Sequence, residues 1–310
     1  MSHAIRIGTR RSPLARRQSQ QVADLLARRL ERPVSLVEVT TRGDVDPAPL
    51  AAIGGAGVFV GALRTALANG DVDLAVHSMK DLPTADAPGL RLAAVPARLD
   101  ARDALVGARL TGLRPGARVG TGSPRRAAAL RALGRGVEPV AIRGNIDTRI
   151  AMAGEGRLDA VVLAMAGLAR LGRHDLVLDP LDPTLMPPAP GQGALAVESR
   201  HDVEGDLAAA LAAVDDARSR AAVAAERAVL AGLQAGCSAP VGALGVVEQD
   251  EVALTARVWS PDGHEAVSGH LRGPLAEAAS LGFALARDLL ARGAATLMST
   301  PIPELKETAL

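Results

Sequence analysis

A lysine and an aspartate stand side by side where a β-strand should end. In GDVDLAVHSMKDLP, residues 70–83, Val72, Leu74 and Val76 alternate with Asp73, Ala75 and His77. That is the period of a strand, and the chain then turns polar at Ser78, Lys80 and Asp81 before Pro83 stops it. Ligands of open α/β sheets sit beyond the carboxyl ends of strands, so Lys80 and Asp81 form a candidate site. A solvated turn would use the same residues. A second chemical group is Cys237, the only cysteine, which follows a helix stop at Gly236 in AGCSAP. A thiol placed there is either a small buried apolar residue or an exposed nucleophile, and no histidine lies beside it in sequence. His77, Ser78 and Asp81 make a poor self-contained triad, because successive strand residues point to opposite faces.

The third group is arginine. Of 35 basic residues only Lys80 and Lys306 are lysines. A strand at 4–8 runs into a helix opened by Ser12 as N-cap and Pro13 at the first helical position. Unpaired N–H groups at such a start attract anions, and Arg10 and Arg11 add formal charge. Ser123-Pro124 repeats the arrangement and is followed by Arg125 and Arg126. Arg143 and Arg149 flank the loop RGNIDTR, and Arg170 follows a later strand end.

The elements that must position these groups read as two similar α/β units. Arg118-Val119-Gly120-Thr121 resembles Arg6-Ile7-Gly8-Thr9, and GRLDAVVLAMAGL at 156–168 resembles GDVDLAVHSMKDL at 70–82. Where the first copy has Lys80-Asp81 the second has Ala166-Gly167, so the structural unit does not require the acid. One copy brings a carboxylate and the other brings cations. If their strand ends meet across a cleft, the ligand is polyanionic and also carries a group that a carboxylate holds.

Between these landmarks, 34–40 reads as a strand, 41–46 as a polar loop, 53–57 as a tightly turned glycine-rich loop that matches no nucleotide motif, and 58–67 as an amphipathic helix. The stretch 83–96, with three prolines, reads as a connection into a domain crossing. Leu185 to Gly193 reads as the return crossing, with 194–197 rejoining the first domain as a strand. An alanine-rich helix from Asp215 or Asp216 to about Leu233, strands at 241–247, 252–258 and 266–271, and a helix over 275–290 make a third, smaller module.

Composition narrows the classes. Hydrophobic residues are 48% but aromatics only 1%, and the formal net charge is +1. Neither a basic run nor an aromatic platform marks a nucleic-acid surface. The start MSHAIRIGTRRS lacks an apolar signal core, and no run of about eighteen apolar residues occurs, so the expectation is a cytoplasmic protein off the membrane. A single cysteine excludes an intrachain disulfide, and the six histidines lack zinc-site spacing, so no metal is expected.

Seven ordered segments, RIGTRRSPLA, TTRGD, VHSMKDLP, GTGSPRR, RGNIDTR, PAPGQGA and AGCSAP, cover almost the whole chain and together resemble the porphobilinogen deaminase (hydroxymethylbilane synthase) family. The resemblance implies an α/β fold of three domains. The first two are each built like a lobe of a type II periplasmic binding protein around a cleft, and the third is a small α/β domain with a mainly antiparallel sheet packed on helices. The expected boundaries are 1–96 plus about 194–212, then 100–190, then 215–310. It implies a transferase of tetrapyrrole and haem biosynthesis that condenses four porphobilinogen molecules with loss of ammonia onto a covalent dipyrromethane cofactor and releases hydroxymethylbilane, acting as a monomer.

By that resemblance Cys237 carries the dipyrromethane by a thioether and Asp81 is catalytic, holding pyrrole N–H groups and stabilising positive charge. Lys80, Thr121, Ser123, Arg125, Arg126 and Gly144 are expected at the cofactor, and Arg10, Ser12, Arg143, Arg149, Arg170 and Phe59 at porphobilinogen and the growing polypyrrole. Guanidinium forks suit the acetate and propionate on each ring. The chain departs from the family at Ala52, Ala56 and Gly61, where many members carry lysine, so ionic contacts from that loop are not carried over. It also reads Asp100-Ala101-Arg102-Asp103 for DPRD and Ala235-Gly236-Cys237 for GGC. The rival readings are a binding protein for an anionic small molecule, which would need neither Cys237 nor a cytoplasmic location, and a cysteine acyl transferase, which would need a histidine that the sequence does not identify.

Overall fold

The computed structural model describes residues 4–30, 32–40, 57–236, 238–299 and 306–307. The expected polar loop at 41–46, most of the glycine-rich loop and Cys237 lie outside the described residues, and Phe59 is described as backbone alone. Two compact units result: 1–99 with 194–220, and 100–193 with 221–310.

The first unit holds β1 (Ile5–Thr9), α1 (Pro13–Ala27), β2 (Val34–Glu38), α2 (Gly57–Ala68), β3 (Leu74–Ser78) and β4 (Leu90–Ala94). The second opens with β5 (Asp103–Val106), β6 (Arg118–Thr121), α3 (Pro124–Ala132), β7 (Glu138–Ala141), α4 (Ile146–Gly154), β8 (Ala160–Ala164), α5 (Met165–Arg170) and β9 (Asp179–Pro180). The chain then returns as β10 (Leu195–Arg200) and α6 (Gly205–Val214) in the first unit. It continues through α7 (Ala217–Gly232), β11 (Val241–Glu248), β12 (Glu251–Trp259), β13 (Ala266–Pro274), α8 (Ala278–Ala291), α9 (Ala294–Ser299) and β14 (Lys306–Glu307).

The first sheet has the order β2-β1-β3-β10-β4 and the second β14-β7-β6-β8-β5-β9. Setting β14 aside, the two are one topology. In each a parallel triplet is followed by one antiparallel strand, β10 or β5, and then an edge strand. The register repeats as well: Ile7 pairs with Leu74 and Gly8 with Ala75, while Val119 pairs with Ala160 and Gly120 with Val161. Gly8 and Gly120 recur for a packing reason. A Cβ on Gly8 would lie 3.2 Å from the Val72 side chain, and one on Gly120 would lie 2.6 Å from Leu158, the matching residue of the second copy.

Both faces of each sheet are covered. Ile5, Ile7, Leu74, Val76, Leu195 and Val197 pack under α1 and α6, and Ala75 packs on the other face with Leu63 and Leu67 of α2. The expected alternation of apolar and polar faces along β3 therefore gives way to burial on both sides, His77 included. Among the elements that escaped the sequence reading are β4 and α6. The prolines of 83–96 bracket β4 rather than interrupt it, which an edge strand tolerates. Helix α6 is apolar almost all round and so shows no stripe at helical period.

The third sheet, β11-β12-β13, is an antiparallel meander whose inner face packs on α7, α8 and α9. Trp259 at the end of β12 is fully buried among Leu105, Val119 and Leu130 of the second sheet's core, and Arg131 donates to the Pro261 carbonyl at 2.7 Å. Those contacts join the second and third sheets into one unit. No described helix is long and apolar enough to cross a membrane.

Candidate active site

Asp81 closes a single 3-10 turn, Met79–Asp81, that follows β3 directly. The Met79 N–H donates to the Ala194 carbonyl at 3.0 Å and the Leu82 N–H to the Met79 carbonyl at 3.1 Å, so the turn is tied at both ends. Buried Gln18 of α1 donates from Nε2 to Ser78 Oγ at 2.7 Å, which fixes the last strand residue. Lys80 and Asp81 are both half-buried. No hydrogen bond or ion pair among the described residues engages the Asp81 carboxylate.

Strand β3 is also pinned at its start. Asp73 accepts the Arg6 N–H at 2.8 Å and the Arg6 guanidinium at 3.0 and 3.2 Å, while its own N–H returns to the Arg6 carbonyl. Desolvation would raise the Asp73 carboxyl, yet the hydrogen bonds from Arg6 hold it below its ordinary value. The second copy repeats the lock: Asp159 accepts the Arg118 N–H at 2.7 Å and donates back to the Arg118 carbonyl. The shared aspartates thus set strand register. At the end of β1, Ser12 caps α1 by accepting the Ala15 N–H at 3.3 Å, as expected, and Arg10 lies in the connecting turn.

The arginines of the second unit divide into two kinds. Arg125 and Arg126, on the first turn of α3, are buried around Asp103, which is wholly inaccessible. Arg125 Nη2 reaches Asp103 Oδ2 at 2.7 Å and its Nη1 the Pro187 carbonyl at 2.7 Å. Arg126 forks onto Asp103 Oδ1 at 2.7 and 3.1 Å and donates to the Val162 carbonyl. Gln192 completes the cluster, donating to Asp103 Oδ1 and the Ala101 carbonyl, both at 2.8 Å. Burial alone would push the Asp103 carboxyl up, but the two guanidinium charges hold it far below its usual range. One acid serves two cations here, and Arg125 Nε is buried without a partner among the described residues.

Arg149 and Arg170 are the other kind. Arg149 Nε donates to the Gly144 carbonyl at 2.9 Å, and Arg170 Nη2 to the Gly193 carbonyl at 2.9 Å. Burial pushes each guanidinium down to about 10, with repulsion from Arg126 adding to the shift at Arg149. Arg149 meets no acid among the described residues, and a bound carboxylate would relieve the cost of its burial. Gly144 has φ +98, and a Cβ there would sit 2.8 Å from Thr148, so the turn that presents its carbonyl needs glycine. Arg143 is exposed in the same loop. Thr121 Oγ1 accepts the Ser123 N–H at 3.1 Å, and Ser123 caps α3 at the Arg126 N–H, so these two residues shape the helix start that carries the arginine pair.

Sequence reasoning missed the partners. Asp103, Gln192 and a buried trio of Arg64, His77 and Glu198 were not identified, because each meets its partners across a wide sequence separation. The one visible signal was an acid or glutamine set among apolar and glycine residues, as in DALV and PGQGA.

A family model described as "Porphobilinogen deaminase, dipyromethane cofactor binding domain" matches residues 5–207, and one described as "Porphobilinogen deaminase, C-terminal domain" matches residues 220–291. The porphobilinogen deaminase of Leifsonia xyli subsp. xyli is 53% identical over 95% of this chain and 94% of its own, and porphobilinogen deaminase 1 of Streptomyces coelicolor is 54% identical over 95% and 97%. That of Acidothermus cellulolyticus is 52% identical over 96% and 92%. Among solved structures, the aliphatic sulphonate binding protein SsuA of Escherichia coli aligns over 76% of this chain and 71% of its own at 16% identity and a TM-score of 0.39. A TRAP periplasmic solute binding protein of Desulfovibrio salexigens aligns over 69% and 73% at 10% identity and a TM-score of 0.42. Among the described residues no group of three or more His, Cys, Asp or Glu is placed to hold a metal ion.

Proposed function

The chain belongs to the porphobilinogen deaminase family, and from that premise we propose which of its residues carry the reaction. The family condenses four porphobilinogen molecules head to tail, with loss of ammonia, onto a dipyrromethane cofactor and releases hydroxymethylbilane. A thioether attachment needs a thiol, and Cys237 is the only one in the chain. When bound, dipyrromethane supplies the primer, a pyrrole whose free α-carbon is the nucleophile.

Asp81 is the catalytic carboxylate. It accepts the pyrrole N–H of porphobilinogen, and as ammonia leaves and positive charge spreads into the ring, that acceptor binds more tightly than in the ground state. The observation that carries the assignment is a carboxylate, on a doubly tied turn, that none of the described residues engages. The acids used by the fold, Asp73, Asp103, Asp159 and Glu198, are instead each held by backbone or side-chain N–H groups. Lys80 adjoins Asp81 and brings a cation to the same turn.

The dipyrromethane carboxylates suit the second unit's charge, where Arg125 and Arg126 share one acid and Arg149 lies close enough to Arg126 to be repelled. Arg126 and Arg149 would hold them, with Thr121, Ser123 and Gly144 shaping the backbone around the pair. Arg125 is assigned with them: like Arg126 it gives its terminal nitrogens to protein acceptors, and its Nε meets none of the described residues. Arg10, Ser12, Arg143 and Arg170 are assigned to substrate carboxylates, and Phe59 to the substrate ring. A monomer in the cytoplasm is part of the reading, supported by the lone thiol, which stays reduced there.

The intact active protein should weigh more than its sequence by one dipyrromethane, and Cys237→Ser should remove both the adduct and the turnover. Active enzyme at the bare sequence mass in mass spectrometry would refute the assignment.

A further inference from the structure

Under α2 lies an ionic cluster that the proposed chemistry does not use. Glu198 of β10 is 3% exposed. Arg64 of α2 forks onto it, Nε donating to Oε1 and Oε2 at 3.1 and 3.0 Å and Nη2 to Oε1 at 2.7 Å. His77 of β3, equally buried, brings Nε2 to 3.1 Å from Glu198 Oε2, though off the line that a good N–H···O bond needs. In the strand pairing Ala196 is opposite His77 and Glu198 opposite Ala75, so Glu198 and His77 are diagonal neighbours on one face. Burial works against the Glu198 charge, yet His77 and Arg64 together hold its carboxyl down to about 2.

The second copy shows that the fold does not require this cluster. Aligned through the repeated Gly-x-x-Asp segment, His77 corresponds to Leu163 and Arg64 to Ile150. Through the matching pairs Leu195–Ser78 and Asp103–Ala164, Glu198 corresponds to Val106. Those three residues pack together in an apolar cluster. A buried ion pair replaced by apolar residues of similar volume is often neutral or stabilising, so stability does not explain the polar trio.

We propose that Arg64, Glu198 and His77 are positioning residues for the strand-end site. Apolar contacts resist sliding weakly, whereas a two-toothed guanidinium–carboxylate fork fixes both distance and angle. Here the fork ties α2, the helix that carries Phe59, to β10, which is paired to β3 along its length. His77 lies on β3 four residues before Asp81. Only the copy that ends in Lys80-Asp81 carries the fork, and its role is to hold that strand end where the carboxylate meets the pyrrole N–H.

The proposal rests on Asp81 being catalytic, so Asp81→Asn is measured in the same porphobilinogen assay. The test variant imports the second copy's residues: Arg64→Ile, His77→Leu and Glu198→Val together. It should melt at or above the wild-type temperature and carry the cofactor mass, while kcat falls about tenfold or more with KM little changed, since misplacement of about 1 Å costs on the order of a hundredfold. Glu198→Gln, which keeps the shape and one acceptor oxygen, should lose less. Wild-type kcat in the folded triple variant would overturn the proposal, provided Asp81→Asn has collapsed. Near-normal turnover by Asp81→Asn would instead remove the catalytic reading on which it rests. Should the triple variant not fold, a folded Glu198→Gln with reduced kcat still supports positioning, whereas wild-type kcat there makes the trio purely structural.

Discussion

The first and second sheets are two executions of one plan, and their differences separate scaffold from chemistry. What recurs is mechanical. Arg6 and Asp73, like Arg118 and Asp159, lock the first strand of the plan to the third. The N–H groups of Met79 and Met165 each donate to the residue preceding the antiparallel strand, Ala194 and Arg102. Ser12 and Ser123 each cap the first helix. What does not recur carries charge with a purpose. Lys80-Asp81 stand against Ala166-Gly167, Asp103 against Leu195, and the Arg64–Glu198–His77 trio against Ile150, Val106 and Leu163. Each copy therefore buries one acid on its antiparallel strand, at different positions and for different cations.

That division predicts how variants should behave. Asp103→Leu, which copies Leu195, strands two buried guanidiniums and should cost about 3–5 kcal/mol in denaturant unfolding. The stabilisation that Asp103 provides has a definite pH signature. Its folded pKa lies below the ordinary 3.8, so the difference between wild type and variant should persist from neutrality to about pH 4 and shrink only under more acid conditions. A difference that vanished near pH 6 would contradict the charge assignment. Asp81→Asn should do the reverse, leaving the unfolding midpoint in place while kcat drops about 10²–10³-fold, or roughly 2.7–4 kcal/mol of transition-state stabilisation. A shifted midpoint with normal turnover would make Asp81 a scaffold residue like its neighbours. The smallest effects belong to the shared lock. Asp73→Asn and Asp159→Asn should each cost about 1–3 kcal/mol with turnover per folded molecule unchanged, and a kinetic phenotype confined to one of them would break the equivalence of the copies.

Much of this was legible in the chain. The repeat of RIGT in RVGT and of GDVDLAVHSMKDL in GRLDAVVLAMAGL marked the two sheets, and the Ser-Pro pairs marked both helix starts, because strand alternation, caps and proline act over a few residues. The sequence likewise singled out Asp81 as an acid that the repeat omits, and Cys237 as the only thiol. Tertiary structure alone decided which arginines meet a buried acid. Arg125 and Arg149 look alike in the motifs, yet one meets Asp103 and the Pro187 carbonyl while the other meets no acid among the described residues. It also revealed that His77, polar in an alternating strand, is buried beside Glu198 and Arg64. The physical reason is range. Propensity and period are written in neighbouring residues, whereas charge compensation depends on which distant strand arrives alongside, and Glu198 reaches the His77 face only after the chain has built the second sheet and returned.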